Sequence, residues 1–190
     1  MSMDTTLWKM YSAWLTAPLR FWGTFYTARG QWFDGVADQL GPVGASGAYL
    51  SIPFEELKEG STGFLSHTVS ERDITNFAQA TGDKNPIHLD DGYAKKTIFK
   101  GRIAHGLLTG GFISALFGTT FPGPGTVYVS QTLNFKAPVR IGDVVVVRAI
   151  VTEIDSEKRR AKFECVCRVG EKIVLEGEAV LQFPRVKKGS

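Results

Sequence analysis

The last third of the chain alternates apolar and polar residues in four consecutive segments. A period of two is typical of strands with one buried face, because successive side chains point to opposite sides of a sheet. Short turns containing IGD, DSEKR and GE separate the segments, which span residues 126–135, 144–154, 161–169 and 172–183. Four such strands predict an antiparallel meander, and we expect residues 63–70 to add a fifth strand.

Helices are predicted between the fifth strand and the meander. Residues 70–73, Ser-Glu-Arg-Asp, resemble a capping box and predict a helix that ends near Thr81. Asp90 or Asp91 would cap a second, short helix. Residues 102–118 are apolar nearly all round and contain no acidic residue, which predicts a long buried helix. The sequence therefore predicts an α+β domain with helices on one face of an antiparallel sheet.

Small residues recur every fourth position of the long helix, at Gly106, Gly110, Ser114 and Gly118. Glycine inside a helix costs about 0.5–1 kcal/mol relative to alanine, so the pattern indicates a reason beyond helix formation. Close packing against the sheet and close approach of a ligand are both open explanations. Each would bury this side of the helix.

An aromatic segment precedes this domain, and all four tryptophans of the protein lie in it, at Trp8, Trp14, Trp22 and Trp32. Its apolar residues recur at spacings of three and four, which predicts helices, and Pro18 would begin the second. The glycine-rich run at residues 41–47 is typical of a linker. We therefore predict a helical extension, residues 1–47, and a main domain, residues 48–190.

Composition excludes several classes of function. The net charge is +3 and no basic run is interleaved with aromatic residues, so a nucleic-acid partner is not expected. The chain has neither the pattern of a signal peptide nor an uninterrupted apolar stretch of about 20 residues, so we expect neither export nor a membrane span. Cys165 and Cys167 would share one face of a strand and pair poorly as a disulfide, which fits a reducing cytoplasm.

The segment GDKNPIHLDD, residues 82–91, combines an acid and a histidine on one short stretch of chain. Pro86 pushes Asn85 toward extended backbone, so Asp83 and His88 are predicted to lie on irregular chain. A carboxylate and an imidazole beside one water can move its protons, and free amides where the long helix begins, after His105, can hold an oxyanion. These groups suit the addition of water to a double bond conjugated to a carbonyl.

Other chemistry has less support in the residues. The histidines, His67, His88 and His105, and the two cysteines do not recur at metal-ligand spacings, so no metal site is expected. Ser114 lacks the setting of a serine nucleophile. Taken singly, Asp83 is better explained by an Asx turn and His88 by a hydrogen-bonded loop position, and only their combination favours catalysis.

Residues 77–94, FAQATGDKNPIHLDDGYA, resemble the hydratase motif of the MaoC-like dehydratases and (R)-specific enoyl-CoA hydratases. The resemblance continues through AHGLLTGGFISALFG and SQTLNFKAPVRIGD and covers about residues 54–183. It implies a hot-dog fold, in which an antiparallel sheet wraps a long central helix. It also implies a homodimer with its active sites near the subunit interface.

The resemblance further implies an activity and roles for single residues. Asp83 and His88 would activate water for addition to a trans-2-enoyl-CoA, giving an (R)-3-hydroxyacyl-CoA, without a cofactor. Asn85 would organise the loop, and the Gly106 N–H would bind the thioester oxygen. Ser114 would hydrogen-bond to Asp83.

Substrate contacts and partners follow as further expectations. Gly110 and Phe117 are predicted to line the acyl pocket, with core packing as the alternative for Phe117. Residues 1–47 are predicted to dock on an apolar partner such as a polyhydroxyalkanoate granule or its synthase, to join subunits, or to pack on their own chain. Alternative functions are an acyl-carrier-protein dehydratase, a hot-dog thioesterase and a non-catalytic granule adaptor. Residues 104–118 contain no acid of the kind that thioesterases of this fold commonly use, which favours hydration.

Overall fold

The structure is a computed structural model, and it describes residues 51–185. The predicted N-terminal helices and the boundary near residue 47 lie outside these residues. The described part contains a short 3-10 turn at Phe54–Glu56, four α-helices and six strands. In chain order these are β1 (Thr62–Thr68), α1 (Glu71–Thr81), α2 (Pro86–Leu89), α3 (Asp91–Lys96), α4 (Gly106–Thr119), β2 (Val127–Gln131), β3 (Asn134–Phe135), β4 (Val144–Asp155), β5 (Arg160–Val169) and β6 (Lys172–Gln182).

The strands form one antiparallel sheet with the order β1-β4-β5-β6-β2, and β3 also pairs with β6. The antiparallel sheet and the fifth strand are confirmed. The predicted meander placed its four strands side by side in chain order. This is wrong for the first strand, because β2 lies beside β6 and not beside β4. The eight residues between β3 and β4 can span roughly 26 Å, which exceeds the roughly 10 Å from β6 to β4. Adjacency in sequence therefore did not fix adjacency in the sheet.

Helix α4 packs one face into the sheet, and this packing forms the core. On β4 every second residue is buried, as the period of two predicts. The buried residues of α4 are Thr109, Phe112, Ile113, Leu116 and Phe117, and those of β4 are Val145, Val147, Ala149 and Val151. A sheet wrapped around one long helix is the hot-dog arrangement.

The predicted helix over residues 102–118 is wrong at its start, because α4 begins at Gly106, the position expected for the free amides. Residues 102–104 use their backbone groups elsewhere: the Ala104 N–H donates to the Val139 carbonyl, and the Ile103 carbonyl accepts from His88. The expectation of burial all round is also wrong. Leu107 is 60% exposed, since its side of α4 faces away from the sheet.

The small-residue side of α4 is covered only near the N-terminus of the helix. A Cβ atom on Gly106 would lie 2.8 Å from the Phe135 ring, and one on Gly110 would lie 3.2 Å from a Leu133 methyl group. Close packing is therefore sufficient to explain these two glycines. Ser114 and Gly118 are exposed.

The local helix signals are confirmed. The side chain of Ser70 accepts a hydrogen bond from the Asp73 N–H, and Asp73 accepts from the Ser70 N–H, so the capping box is complete. Asp90 caps α3. Cys165 and Cys167 are buried free thiols, and burial raises the pKa of each to about 12. Within residues 51–185, no helix is long and apolar enough to cross a membrane.

The capping box gives a prediction about stability and pH. Burial alone would raise the pKa of Asp73, but hydrogen bonds from Ser70 and His67 outweigh it and hold the pKa below its ordinary value. Because the folded state favours the carboxylate, this stabilisation is present above the ordinary pKa and is lost as the pH falls through the lower folded value. Asp73→Asn should reduce the free energy of unfolding by about 1 kcal/mol at pH 7, and by less near pH 3.

Urea unfolding at the two pH values measures this difference, with Glu153→Gln, an exposed carboxylate on β4, as the matched control. An Asp73→Asn effect that is equal at both pH values would contradict the assignment.

Candidate active site

The loop between α1 and α2 is shaped by its own backbone and side chains. Gly82 ends α1 in the left-handed region, with φ of 77°. The Asp83 carboxylate accepts from the Asn85 N–H at 3.2 Å, and the Asn85 side chain accepts from the Ile87 N–H at 3.2 Å. Asp83 therefore forms the Asx turn that was the alternative to a catalytic role, and its side chain remains exposed.

His88 lies on a short helix, so its expected placement on irregular chain is wrong. Asn85 is extended as predicted, but Pro86 then occupies the first turn of α2, a position that proline suits because its missing N–H has no partner there. His88 is 9% exposed, and its Nδ1 lies 2.8 Å from the Ile103 carbonyl oxygen. A carbonyl only accepts, so Nδ1 carries the proton and Nε2 of the neutral ring is free to accept.

His105 joins the loop to the start of α4. Its ring is 2% exposed, and its Nε2 lies 3.0 Å from the backbone carbonyl oxygen of Asp83. The ring centroid is 3.8 Å from that of His88 and 4.8 Å from that of Phe77. Nδ1 of His105 is buried without a hydrogen-bond partner in the described part of the chain, a situation that typically costs about 1–3 kcal/mol.

Asp83, His88 and His105 form a compact polar cluster. Each contributes one nitrogen or carboxylate oxygen, and these three atoms lie within 4.8 Å of one another. Gly106 follows at the first position of α4, where the N–H groups lack partners within the helix. Three such atoms could also hold a metal ion, an arrangement that the spacing of histidines in the sequence does not reveal.

The surroundings of His88 favour its neutral form. Burial lowers the pKa of His88, and the neighbouring His105 lowers it further, whereas the Ile103 hydrogen bond and the Asp83 charge act in the opposite direction. The net effect is a pKa below the ordinary value for histidine. His88 is therefore neutral at pH 7 and can accept a proton through Nε2.

Arg102 holds the backbone of the cluster at His88, and the sequence analysis did not predict this contact. Its Nε donates to the His88 carbonyl at 2.7 Å, and its guanidinium pairs with Glu71 at 2.6 Å. The Arg102 side chain is only 12% exposed, but that of Glu71 is 58% exposed, so the bond to His88 is the better shielded of the two. The sequence shows Arg102 three positions before His105, but it does not reveal that Arg102 contacts His88, 14 positions away.

The other predicted site residues lie as follows. Within residues 51–185 no hydrogen bond joins Ser114 to Asp83, and that role stays a prediction. Phe117 is 1% exposed and packs on Phe163, with ring centroids 4.9 Å apart. His67 is not part of the cluster: it bonds to Asp73 at 3.0 Å and contacts the Phe112 ring.

Comparison with known proteins agrees with the fold. The family model "MaoC like domain" matches residues 54–173. The 3-hydroxybutyryl-CoA dehydratase of Methylorubrum extorquens is 54% identical over 132 residues, 70% of this chain and 84% of that protein. The (R)-specific enoyl-CoA hydratase of Rhodospirillum rubrum is 51% identical over 131 residues, 69% of this chain and 91% of that protein.

A solved structure, the R-hydratase PhaJ1 from Pseudomonas aeruginosa in its unliganded form, superposes with a TM-score of 0.66 at 40% identity. The match covers 74% of this chain and 93% of that one. The fold and site thus define a hot-dog protein of the hydratase class. The chain belongs to the MaoC-like domain family.

Proposed function

We propose that this protein is an (R)-specific enoyl-CoA hydratase, which adds water to a trans-2-enoyl-CoA to give an (R)-3-hydroxyacyl-CoA. The observation that carries the proposal is the clustering of Asp83, neutral His88 and the start of α4 around one point. The named activities of the relatives from M. extorquens and R. rubrum support it. Dehydration is the same reaction in reverse.

In the proposed reaction one water is held between the Asp83 carboxylate and Nε2 of His88. Nε2 takes a proton from the water as the oxygen bonds to C3 of the enoyl group. The π electrons of C2=C3 move to the thioester oxygen, which becomes an enolate oxygen. The protonated His88 then delivers the proton to C2, the carbonyl re-forms, and both protein groups return to their starting state.

The enolate oxygen needs a hydrogen-bond donor where negative charge develops. The Gly106 N–H at the first position of α4 is free of helix partners and belongs to the positive end of the helix dipole. A glycine there leaves no side chain between the amide and a ligand. Ser114, exposed two turns further along α4, stays a proposed contact to Asp83, and Asn85 holds the turn between Asp83 and α2.

Thioester hydrolysis is the main competing activity, because hot-dog proteins carry both. The described part of α4, Gly106–Thr119, has no acidic residue, and the buried Cys165 and Cys167 thiols are protonated at neutral pH. An acid for hydrolysis is therefore missing from the central helix, and neither thiol is present as a thiolate. An acyl-carrier-protein thioester in place of the CoA thioester is the second candidate substrate.

The roles of Asp83 and His88 predict the effect of their replacement. Asp83→Asn and His88→Ala should each lower kcat/KM for crotonyl-CoA by about 10²-fold or more, the scale of general acid–base catalysis. The matched controls are Asp155→Asn, at the end of β4, and His67→Gln, the histidine outside the cluster. Near-normal turnover in either site variant, with an unchanged circular dichroism spectrum, would refute the assignment.

The acyl pocket is the second part of the proposal, with Gly110 beside it and Phe117 limiting its depth. Phe117→Ala should extend acceptance from four-carbon to six- and eight-carbon enoyl chains, at a stability cost of about 3–5 kcal/mol, since the ring is buried. Phe117→Leu provides a milder change. Phe112→Ala on the same helix is the control for core loss alone. If the ratios of kcat/KM across chain lengths change equally in the Phe112 and Phe117 variants, Phe117 acts only in the core.

A homodimer is the proposed assembly. Among residues 51–185, β2 lies at an edge of the sheet with Val127, Tyr128 and Val129 exposed, and Phe135 on β3 is 52% exposed. Edge strands present unpaired backbone groups, and exposed apolar side chains beside them favour pairing with another copy. The exposed side of α4 is near Phe135, so such a dimer would bring a second chain close to the site.

Residues 1–47 are proposed to attach this cytoplasmic enzyme to a polyhydroxyalkanoate granule or its synthase, where (R)-3-hydroxyacyl-CoA is the monomer. The four tryptophans support an apolar partner. A fragment that starts at Tyr49 should remain active on crotonyl-CoA but no longer sediment with granules, in contrast to the full chain. An inactive or aggregated fragment would instead show that the extension packs on its own chain.

A further inference from the structure

One buried group has no part in the proposed proton transfers: the imidazole of His105. Its residue is 2% exposed, and its Nδ1 atom is enclosed without a hydrogen-bond partner among the described residues. An enclosed nitrogen cannot reach a substrate. His105 is therefore not a general acid or base in this arrangement, although it touches both residues that are.

His105 contacts Asp83 and His88 and also immediately precedes α4. Its Nε2 lies 3.0 Å from the carbonyl oxygen of Asp83. Its ring stacks on that of His88 at 3.8 Å, with an angle of 31° between the planes. Its backbone caps α4 immediately before Gly106. No other side chain in the described part of the chain contacts both Asp83 and His88 in this way.

The bond to Asp83 determines the tautomer of His105. A backbone carbonyl accepts only, so the neutral ring must carry its proton on Nε2. The lone pair then lies on Nδ1, which is the enclosed, unpartnered atom. An apolar ring would fill the same space between Phe77 and His88 without leaving a buried nitrogen unsatisfied, so packing alone does not account for a histidine here.

We infer that His105 is a positioning residue: its Nε2–H holds the Asp83 carbonyl, and its ring holds His88, so that carboxylate and imidazole face the same water at the start of α4. The inference rests on the proposed hydration and adds a residue to it. Misplacement of reacting groups by about 1 Å can cost on the order of 10²-fold in rate, which sets the scale of the effect.

Two substitutions separate the hydrogen bond from the ring. His105→Gln keeps an N–H donor at a reach similar to that of Nε2 and removes the ring, and His105→Phe keeps the ring and removes the donor. Both should lower kcat for crotonyl-CoA by about tenfold or more with less than about threefold change in KM, and glutamine should retain more activity than phenylalanine. Thr109→Val, another buried polar side chain on α4, should leave kcat unchanged.

Thermal unfolding of the same variants distinguishes positioning from a merely structural role. His105→Phe should melt near the temperature of the wild-type protein while activity falls, because removal of the unsatisfied buried nitrogen offsets loss of the hydrogen bond to the Asp83 carbonyl. A kcat equal to that of the wild type in His105→Phe would overturn the inference. A drop in kcat that accompanies an equal loss of stability in both variants would overturn it as well.

Nitrogen-15 NMR of the wild-type histidine rings tests the geometry without any substitution or turnover. With only His67, His88 and His105 in the chain, the ring signals are few. His105 should be protonated on Nε2 and His88 on Nδ1 at neutral pH. The opposite tautomer of His105 would overturn the inference even in an active enzyme, whereas the expected tautomers in a protein that does not hydrate crotonyl-CoA would refute the proposed function alone.

Discussion

The packing of α4 against the concave face of the sheet is the contact on which the rest of the structure depends. Leu116, Ile113 and Phe117 are almost fully buried against residues of β4 and β5. Burying a large apolar side chain contributes roughly 1.5–3 kcal/mol, so a handful of such residues fixes the helix firmly. The N-terminus of α4 is consequently a rigid point, and the candidate active site is assembled there.

The remaining parts of the site are attached to this fixed point by hydrogen bonds to backbone carbonyls. His105 contacts the Asp83 carbonyl, His88 contacts the Ile103 carbonyl, and Arg102 contacts the His88 carbonyl. Irregular chain has few backbone bonds of its own, and these side chains provide them. Burial at the same place lowers the pKa of His88 and keeps it neutral. The buried position of the His88 imidazole therefore fixes both its orientation and its neutral charge state.

The sequence predicted the individual helices and strands better than it predicted which of them lie side by side. The capping box at Ser70, the cap at Asp90 and the alternation in β4 depend on residues close in the chain, and all three are confirmed. The position of β2 beside β6 and the open side of α4 depend on the path of the chain in space, which local patterns do not encode. The start of α4 at Gly106 depends on carbonyl partners outside the helix.

The sequence predicted which residues of the candidate site could transfer protons. It did not predict which residues hold them in place. The motif around Asp83 and His88 indicated general acid–base catalysis, and the structure brings both side chains together. The contact between His105 and Asp83 joins residues 22 positions apart, and the contact between Arg102 and His88 joins residues 14 apart. No periodicity connects such pairs. The helical character of α2 was missed because Pro86 was considered for its effect on Asn85 alone.

The most direct test of the account is the product formed by the purified full-length chain from crotonyl-CoA. The account predicts loss of the enoyl-thioester absorbance without release of free thiol, undiminished by a metal chelator, and a 3-hydroxybutyryl-CoA product that is the R enantiomer by chiral chromatography. Release of free CoA in step with substrate loss would identify thioester hydrolysis and contradict it. An S product would contradict the proposed stereochemistry, and an unchanged substrate would contradict the assignment of hydratase activity on this CoA thioester.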